Sequence, residues 1–216
     1  MSHLHDAALL AALGLFCPQH PALAQGPSLE REIVAEMNRA RTDPAAYARL
    51  LEEMLPRFRG KLYDRPDRVT IETQEGADAV RDAIVTLRRT RALNPLTFSW
   101  GLAHAARDHA EDQGPSGGIG HAGTDGSRTT DRISRYGTWG GSAAENIAYG
   151  SETARDVVID LLIDDGVAGR GHRANILDAD ARFAGAGCAK HTGYRIVCVI
   201  DFAGEYAETD RRPPPR

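Results

Sequence analysis

Cysteine is scarce in this chain: three residues in 216, one of them, Cys17, inside an N-terminal apolar segment. So few cysteines exclude a scaffold held by many disulfides, and the fold must rest on an ordinary apolar core. An excess of positive charge is also lacking. The formal net charge is −4, with acids and bases mixed along the chain, which argues against a general nucleic-acid surface. After the first residues no apolar run is long enough for a membrane span. There is no His-Glu-x-x-His and no phosphate-binding loop. Asp178-Ala-Asp180 begins like a calcium loop, but Phe183 stands where glycine is needed and Ala189 where glutamate is needed. No internal repeat is found.

What is present begins with residues 7–16, an apolar run of signal-peptide length and too short to cross a bilayer. Small residues at Ala22 and Ala24 fit cleavage after Ala24. The segment before the run offers His3 and His5 but no Lys or Arg. Cys17-Pro18 and Pro21 break any core helix here, and bulky Phe16 argues against a lipid anchor on Cys17. Three parts are expected: a signal peptide 1–24, one domain 25–208, and a disordered, proline-ended tail 209–216. Cleavage leaves 192 residues and a net charge of −3, since Asp6 is lost. The product is expected to be secreted or periplasmic, monomeric and without a membrane span.

Helical periods are clear in places. Ser28 is placed to cap a helix to about Arg41, and Asp43-Pro44 starts another with Tyr47, Leu50, Leu51 and Met54 on one face. Residues 56–73 are polar and Arg-rich and read as a long surface loop. Ala77, Val80, Ile84 and Leu87 mark a third helix. Ser99 caps a fourth to about Gln113, with His109 on its apolar stripe and His104 facing out. Six glycines make residues 114–126 a loop. A short helix is expected over Arg128–Tyr136 and a longer one around Val157, Val158, Leu161 and Leu162. Cys188 and Cys198 lie equally far from Gly193 in a hairpin pattern, which sets them opposite each other and within bonding reach. Helices flanking a small, mainly antiparallel sheet make this an α/β protein.

Three polar segments could carry chemistry. They are Gly120-His121-Ala-Gly-Thr-Asp125-Gly126, Ala144-Glu145-Asn146-Ile147-Ala148-Tyr149-Gly150, and Asp164-Asp165-Gly166 with Arg170-Gly171-His172-Arg173-Ala174-Asn175-Ile176. Asp164 and Asp165 end an apolar-striped helix, with Gly166 as a natural stop. Carboxylates there oppose the helix dipole at about 0.3–1 kcal/mol each. A basic partner or a metal would compensate, and Arg170, His172 and Arg173 follow closely.

Taken in order, these segments resemble the CAP superfamily, the cysteine-rich secretory, antigen-5 and pathogenesis-related group, in its bacterial SCP-like form. The resemblance runs from about Glu32 to Tyr206. It is carried by Met37-Asn38-Arg39-Ala40-Arg41, Pro95-Leu96 before Trp100, Ala103-His104-Ala105-Ala106, Gly120-His121, Ala144-Glu145-Asn146-Ile147-Ala148, Gly171-His172-Arg173-Ala174-Asn175-Ile176-Leu177 and Gly185-Ala-Gly187. It implies a three-layer α-β-α sandwich with a cavity lined by two histidines and two acids. By position these are His121, Glu145, His172 and Asp164, with Asp165 as the alternative to Asp164. Leu161 stands where many members carry Trp.

Two imidazoles with carboxylates suit a divalent metal, zinc first. One reading is therefore a binding module that holds a metal at His121, His172, Glu145 and Asp164, and with it a small-molecule, lipid-like or envelope ligand. A second is a metal-dependent hydrolase of peptides or cell-envelope material, although no serine or cysteine nucleophile is identifiable beside the cluster. A third is a structural or interaction module whose polar cluster is a hydrogen-bonded network. The leader generates the first test: intact-mass measurement of protein recovered from medium or periplasm should start at Gln25, and full-length chain retained in the cytoplasm would refute export.

Overall fold

A computed structural model of the chain describes residues 28–65 and 68–209. The expected leader, its cleavage point and the tail from Asp210 onward lie outside the described residues. Thr209, assigned above to the tail, is held by the domain: its amide and its hydroxyl both donate to the Tyr136 carbonyl.

The N-terminal helices follow the apolar spacing. Helix α1 (Leu29–Thr42) buries Ile33, Val34, Met37 and Ala40 on one stripe. Ser28 takes the N-cap position, yet its hydroxyl caps no backbone amide; Glu30 and Glu32 face the positive end of the helix instead. Asp43 caps α2 (Pro44–Glu52) by accepting from Ala46 N. After a 3-10 turn at Leu55–Arg57 come three two-residue strands, β1 (Phe58–Arg59), β2 (Leu62–Tyr63) and β3 (Ile71–Glu72), paired antiparallel. This corrects the expectation of a long irregular loop. Strands of two residues have no readable period, and the ribbon is set by contacts: Phe58 stacks on Tyr63 at 4.7 Å between ring centroids. Helix α3 (Ala77–Arg89) follows the predicted stripe.

The central sheet has the order β4-β6-β7-β5, from β4 (Thr97–Phe98), β5 (Gly137–Tyr149), β6 (Phe183–His191) and β7 (Arg195–Glu208). Only the β4–β6 pair is parallel. Cys188 faces Cys198 in the β6/β7 register and the two are disulfide-bonded, with Cα atoms 4.2 Å apart. One face of the sheet carries α4 (Trp100–Ser116) and α5 (Thr129–Ile133). The other carries α1, α2, α3 and α6 (Ala154–Ile163) over the main core, where Cys198, Ile200 and Phe202 of β7 point. Helix α7 (Gly171–Ile176) closes the end beside β5. This is the three-layer α-β-α arrangement.

Helix α4 outruns its expected end at Gln113 through Gly114 and Pro115, and Gly117 in the left-handed region at φ +70° stops it. Its approach to β6 is backbone on backbone. A Cβ on Gly185 would lie 2.1 Å from Ala103 N, and one on Gly187 2.2 Å from Arg107 N. Glycine at both positions therefore sets the spacing of the layer. Gly187→Ala should destabilise the fold by about 1–3 kcal/mol through overpacking, whereas Gly171→Ala, whose Cβ would meet nothing within 4 Å, should not. Thermal unfolding of both variants checks this; equal midpoints would refute the contact argument.

Candidate functional site

Strand β5 pairs with β7 on one side only, and its side chains alternate between the two faces of the sheet. Glu145 points to the α4 face and is buried, with 1% of its side chain exposed. Its Oε2 accepts from Arg132 Nη2 at 2.6 Å, and its Oε1 faces His121 Nδ1 at 2.8 Å. Arg132, itself buried on α5, also donates to the carbonyls of Ser127 and His121. Burial pushes the Glu145 carboxyl up, but the His121 bond and the Arg132 charge outweigh it and hold the group below its ordinary value. The same bond from Glu145 raises the His121 imidazole, against its partial burial.

Asp201 stands opposite Glu145 in the β5/β7 register, wholly buried. Neither of its oxygens receives an N–H or O–H. Burial, and then the charge of Glu145, push it well above the carboxylate range. A charge on Glu145 thus disfavours a second charge on Asp201 across the ladder.

The loop that presents His121 is clamped rather than loose, contrary to what its glycines suggest. His109 Nε2 and the Gln113 side-chain amide both reach the Gly120 carbonyl, and the Gly120 amide donates to the Tyr149 hydroxyl at 2.9 Å. Tyr149 in turn donates to Gln113 Oε1. His109 is thus the buried core histidine expected from its stripe, and it also lies 4.0 Å from Glu145. Gly114-Pro115-Ser116-Gly117-Gly118 has the letters of a nucleophile elbow, but it ends a helix instead of joining a strand to one, and Ser116 donates to the Asp112 and Gln113 carbonyls.

The second pair lies on the other face. Asp164 itself, left-handed at φ 57°, ends α6 two residues before the expected Gly166 stop. Its carboxylate accepts from His172 N at 2.9 Å and faces His172 Nδ1 at 2.7 Å. Asp165 turns away and accepts from Gln74 N and Glu75 N. The two acids are therefore compensated by backbone amides and one imidazole, not by the nearby arginines. Arg170 donates to the Asp164 carbonyl, and Arg173 to the Leu162 and Ile163 carbonyls and to Asp82. Asn146, one residue after Glu145 and so on the opposite face, donates to the His172 carbonyl and accepts from Asn175.

The four expected residues thus come together two by two. Asp164 and His172 line a cavity of about 760 Å³ along β5, walled by Met54, Phe58, Ile71 and Ile159. His121 and Glu145 are not among its lining residues. In each pair the imidazole turns Nδ1 to a carboxylate, and no described residue hydrogen-bonds its Nε2. Among the described residues no three His, Cys, Asp or Glu side chains gather closely enough to hold a metal. Each imidazole, oriented by one carboxylate, is a donor of the type that divalent metals take. Sequence reasoning missed Arg132 and Asp201. Of these only Asp201 carried a signal, as the lone acid in the apolar run Val197–Phe202.

The Glu145–His121 bond predicts a titration. With its pKa raised in the folded state, protonated His121 stabilises the fold fully below its unfolded value of about 6.5, and the contribution fades as pH rises through the folded value. By NMR, wild-type His121 should titrate above about 6.5 and Glu145→Gln should return it toward that value. An unmoved titration would show that the bond does not set it.

The chain was compared with known proteins and structures. No curated protein matches the chain significantly. Among solved structures it is similar to an outer surface protein from Borrelia burgdorferi (24% identity, 51% of this chain, 78% of that chain, TM-score 0.44). It is also similar to an extracellular protein containing an SCP domain from Bacillus anthracis (20% identity, 57% of this chain, 38% of that chain, TM-score 0.42). A third is venom allergen-like protein 4 of Schistosoma mansoni (14% identity, 82% of this chain, 88% of that chain, TM-score 0.45). The chain thus spans well under half of the Bacillus protein. No helix among the described residues is long and apolar enough to cross a membrane. The family model of the cysteine-rich secretory protein family, CAP, matches residues 81–202, more than half of the sequence, and the chain belongs to that family.

Proposed function

We propose that this CAP domain is an exported binding module. Its cavity takes a small amphipathic molecule beside His172, and a divalent ion, zinc first, binds reversibly on imidazole Nε2 atoms. One observation carries the reading: both histidines are oriented by a carboxylate through Nδ1 and leave Nε2 open, the arrangement second-sphere carboxylates impose on metal-binding imidazoles. His121 and His172 would hold the ion, and Glu145 and Asp164 would orient them rather than bind it. When bound, the ion would supply Lewis-acid polarisation. The part-apolar walls and the size of the cavity suit a small ligand. Export is supported by the leader-like N-terminus and by the extracellular description of the Bacillus relative. The hydrolase reading gains no support from a nucleophile, since Ser116 is tied to backbone carbonyls.

Calorimetric titration with zinc tests the metal. Wild type should bind, more weakly as pH falls and the imidazoles protonate. The His121→Ala, His172→Ala double variant should lose binding with its unfolding midpoint kept. Equal uptake by both proteins would place the ion elsewhere. No uptake by either would leave a hydrogen-bonded network. For the cavity, anilinonaphthalene sulfonate fluorescence should rise with wild type and fall back when Ile159→Trp fills the wall; an unchanged signal would mean the dye binds outside the cavity.

A further inference from the structure

Between α4 and α5 lies a second, smaller cavity of about 340 Å³. It shares no lining residue with the cavity beside His172. Its floor is made by two buried side chains that also meet Glu145. His109 is fully buried and turns Nε2 toward the Gly120 carbonyl, 4.0 Å from Glu145. Arg132, 1% exposed, spends Nη1 and Nη2 on Glu145 and on the Ser127 and His121 carbonyls. The remaining nitrogen of each, His109 Nδ1 and Arg132 Nε, is buried and finds no hydrogen-bond partner among the described residues. Both residues line this cavity. Buried polar nitrogens are rarely left so, because their hydration is given up and nothing replaces it. One bridging water occupies about 30 Å³. The cavity is several times larger and falls in the size range of small-molecule sites.

The mouth has a different character from the floor. Asp108, Glu111 and Asp112 stand one turn apart on α4, and Asp125 on the loop before α5, all half-buried or exposed. The Thr124 hydroxyl and amide hold Asp112 below the ordinary carboxylate range, and Asp125 is lowered to about 2, first by Ser127 and then by Arg135. Cations are fewer. Arg135 pairs with Asp125 at 2.9 Å and with Asp108 at 3.5 Å, and Arg107 reaches Glu111 only at 4.0 Å while bonded to Glu30. The mouth is therefore negative. The floor carries no net charge to match it. Glu145 meets the Arg132 charge at 2.6 Å, and burial holds the His109 imidazole below its ordinary value and so in its neutral form.

These two halves select a ligand. A carboxylate or phosphate would pass four carboxylates and lose its water against a floor with no net charge. A plain alkylammonium would suit the mouth and leave both floor nitrogens unpaired. A hydroxyl both donates and accepts, so it serves Arg132 Nε–H and either tautomer of His109. We propose that this cavity is a second binding site, for a small hydroxylated amine of the amino-alcohol or amino-sugar class. Its hydroxyl oxygens would meet His109 Nδ1 and Arg132 Nε, and its ammonium would lie among Asp108, Glu111 and Asp112. The proposal depends neither on metal binding nor on the cavity beside His172.

Nuclear magnetic resonance of the metal-free protein tests it with three probes. Glucosamine carries hydroxyls and an ammonium, glucose lacks the charge, and butylammonium lacks the hydroxyls. Glucosamine should shift the His109 ring and Arg132 Nε signals and bind about ten-fold or more tightly than either of the others, less so as salt is added. Asp108→Asn with Glu111→Gln should bring its affinity down to that of glucose. Where that pair lowers the unfolding midpoint, Glu111→Gln alone should weaken glucosamine several-fold and leave glucose unchanged. Butylammonium binding as tightly as glucosamine would overturn the proposal by showing a surface that reads charge alone. Glucose binding as tightly would remove the role of the carboxylates and overturn it too. Signals of His109 and Arg132 that move with no probe, or shifts confined to His172, would leave this cavity to water.

Discussion

A buried negative charge on Glu145 is the constraint around which this end of the molecule is organised. Taking one partner from a buried ion pair costs on the order of 3–5 kcal/mol, so the elements that supply its partners are not free to drift. Arg132 brings α5 to the sheet, His121 brings the loop after α4, and Asp201 across the ladder has its carboxyl pushed well above the usual range by burial and by the Glu145 charge. Arg132 also holds the His121 carbonyl. One guanidinium thereby fixes both the carboxylate and the loop whose imidazole meets it.

The alternation of an edge strand then divides the polar residues. Glu145 and Asn146 are neighbours in sequence and leave the strand on opposite faces. Asn146 reaches the His172 carbonyl and is steadied by Asn175, so the second imidazole is registered to the same strand as the first. Both His–acid pairs are tied to β5, one through Glu145 and the other through Asn146. Ile147, Ala148 and Tyr149 near its end line the cavity, and the glycines of β6 let α4 pack closely on the sheet.

The helix ends show how unfavourable local electrostatics are put to use. Asp164 sits where a helix dipole repels it, in a left-handed conformation that few side chains adopt. It is kept by the His172 amide and imidazole. Asp165 serves a different end, anchoring the ribbon before α3. Two adjacent acids thus tie α6 to two separate parts of the cavity wall.

Much of this was fixed by sequence. Apolar spacing determined α1, α2, α3 and α6, Asp43 and Ser99 determined two helix starts, and equal spacing about Gly193 determined the cysteine pairing, because each follows from local periodicity or turn geometry. The order of the polar segments also pointed to His121, Glu145, Asp164 and His172. Other features arose only in three dimensions. The β1–β3 ribbon has strands too short to show a period and exists through the Phe58–Tyr63 stack and the Asp165 anchor. The choice of Asp164 over Asp165 was made by the backbone turning left-handed at one residue. Arg132 and Asp201 entered the site because α5 and β7 are brought to Glu145 from elsewhere in the chain, and the division of four residues into two pairs came from the pleat of β5. These are properties of which backbones lie side by side, and no local pattern of residues encodes that.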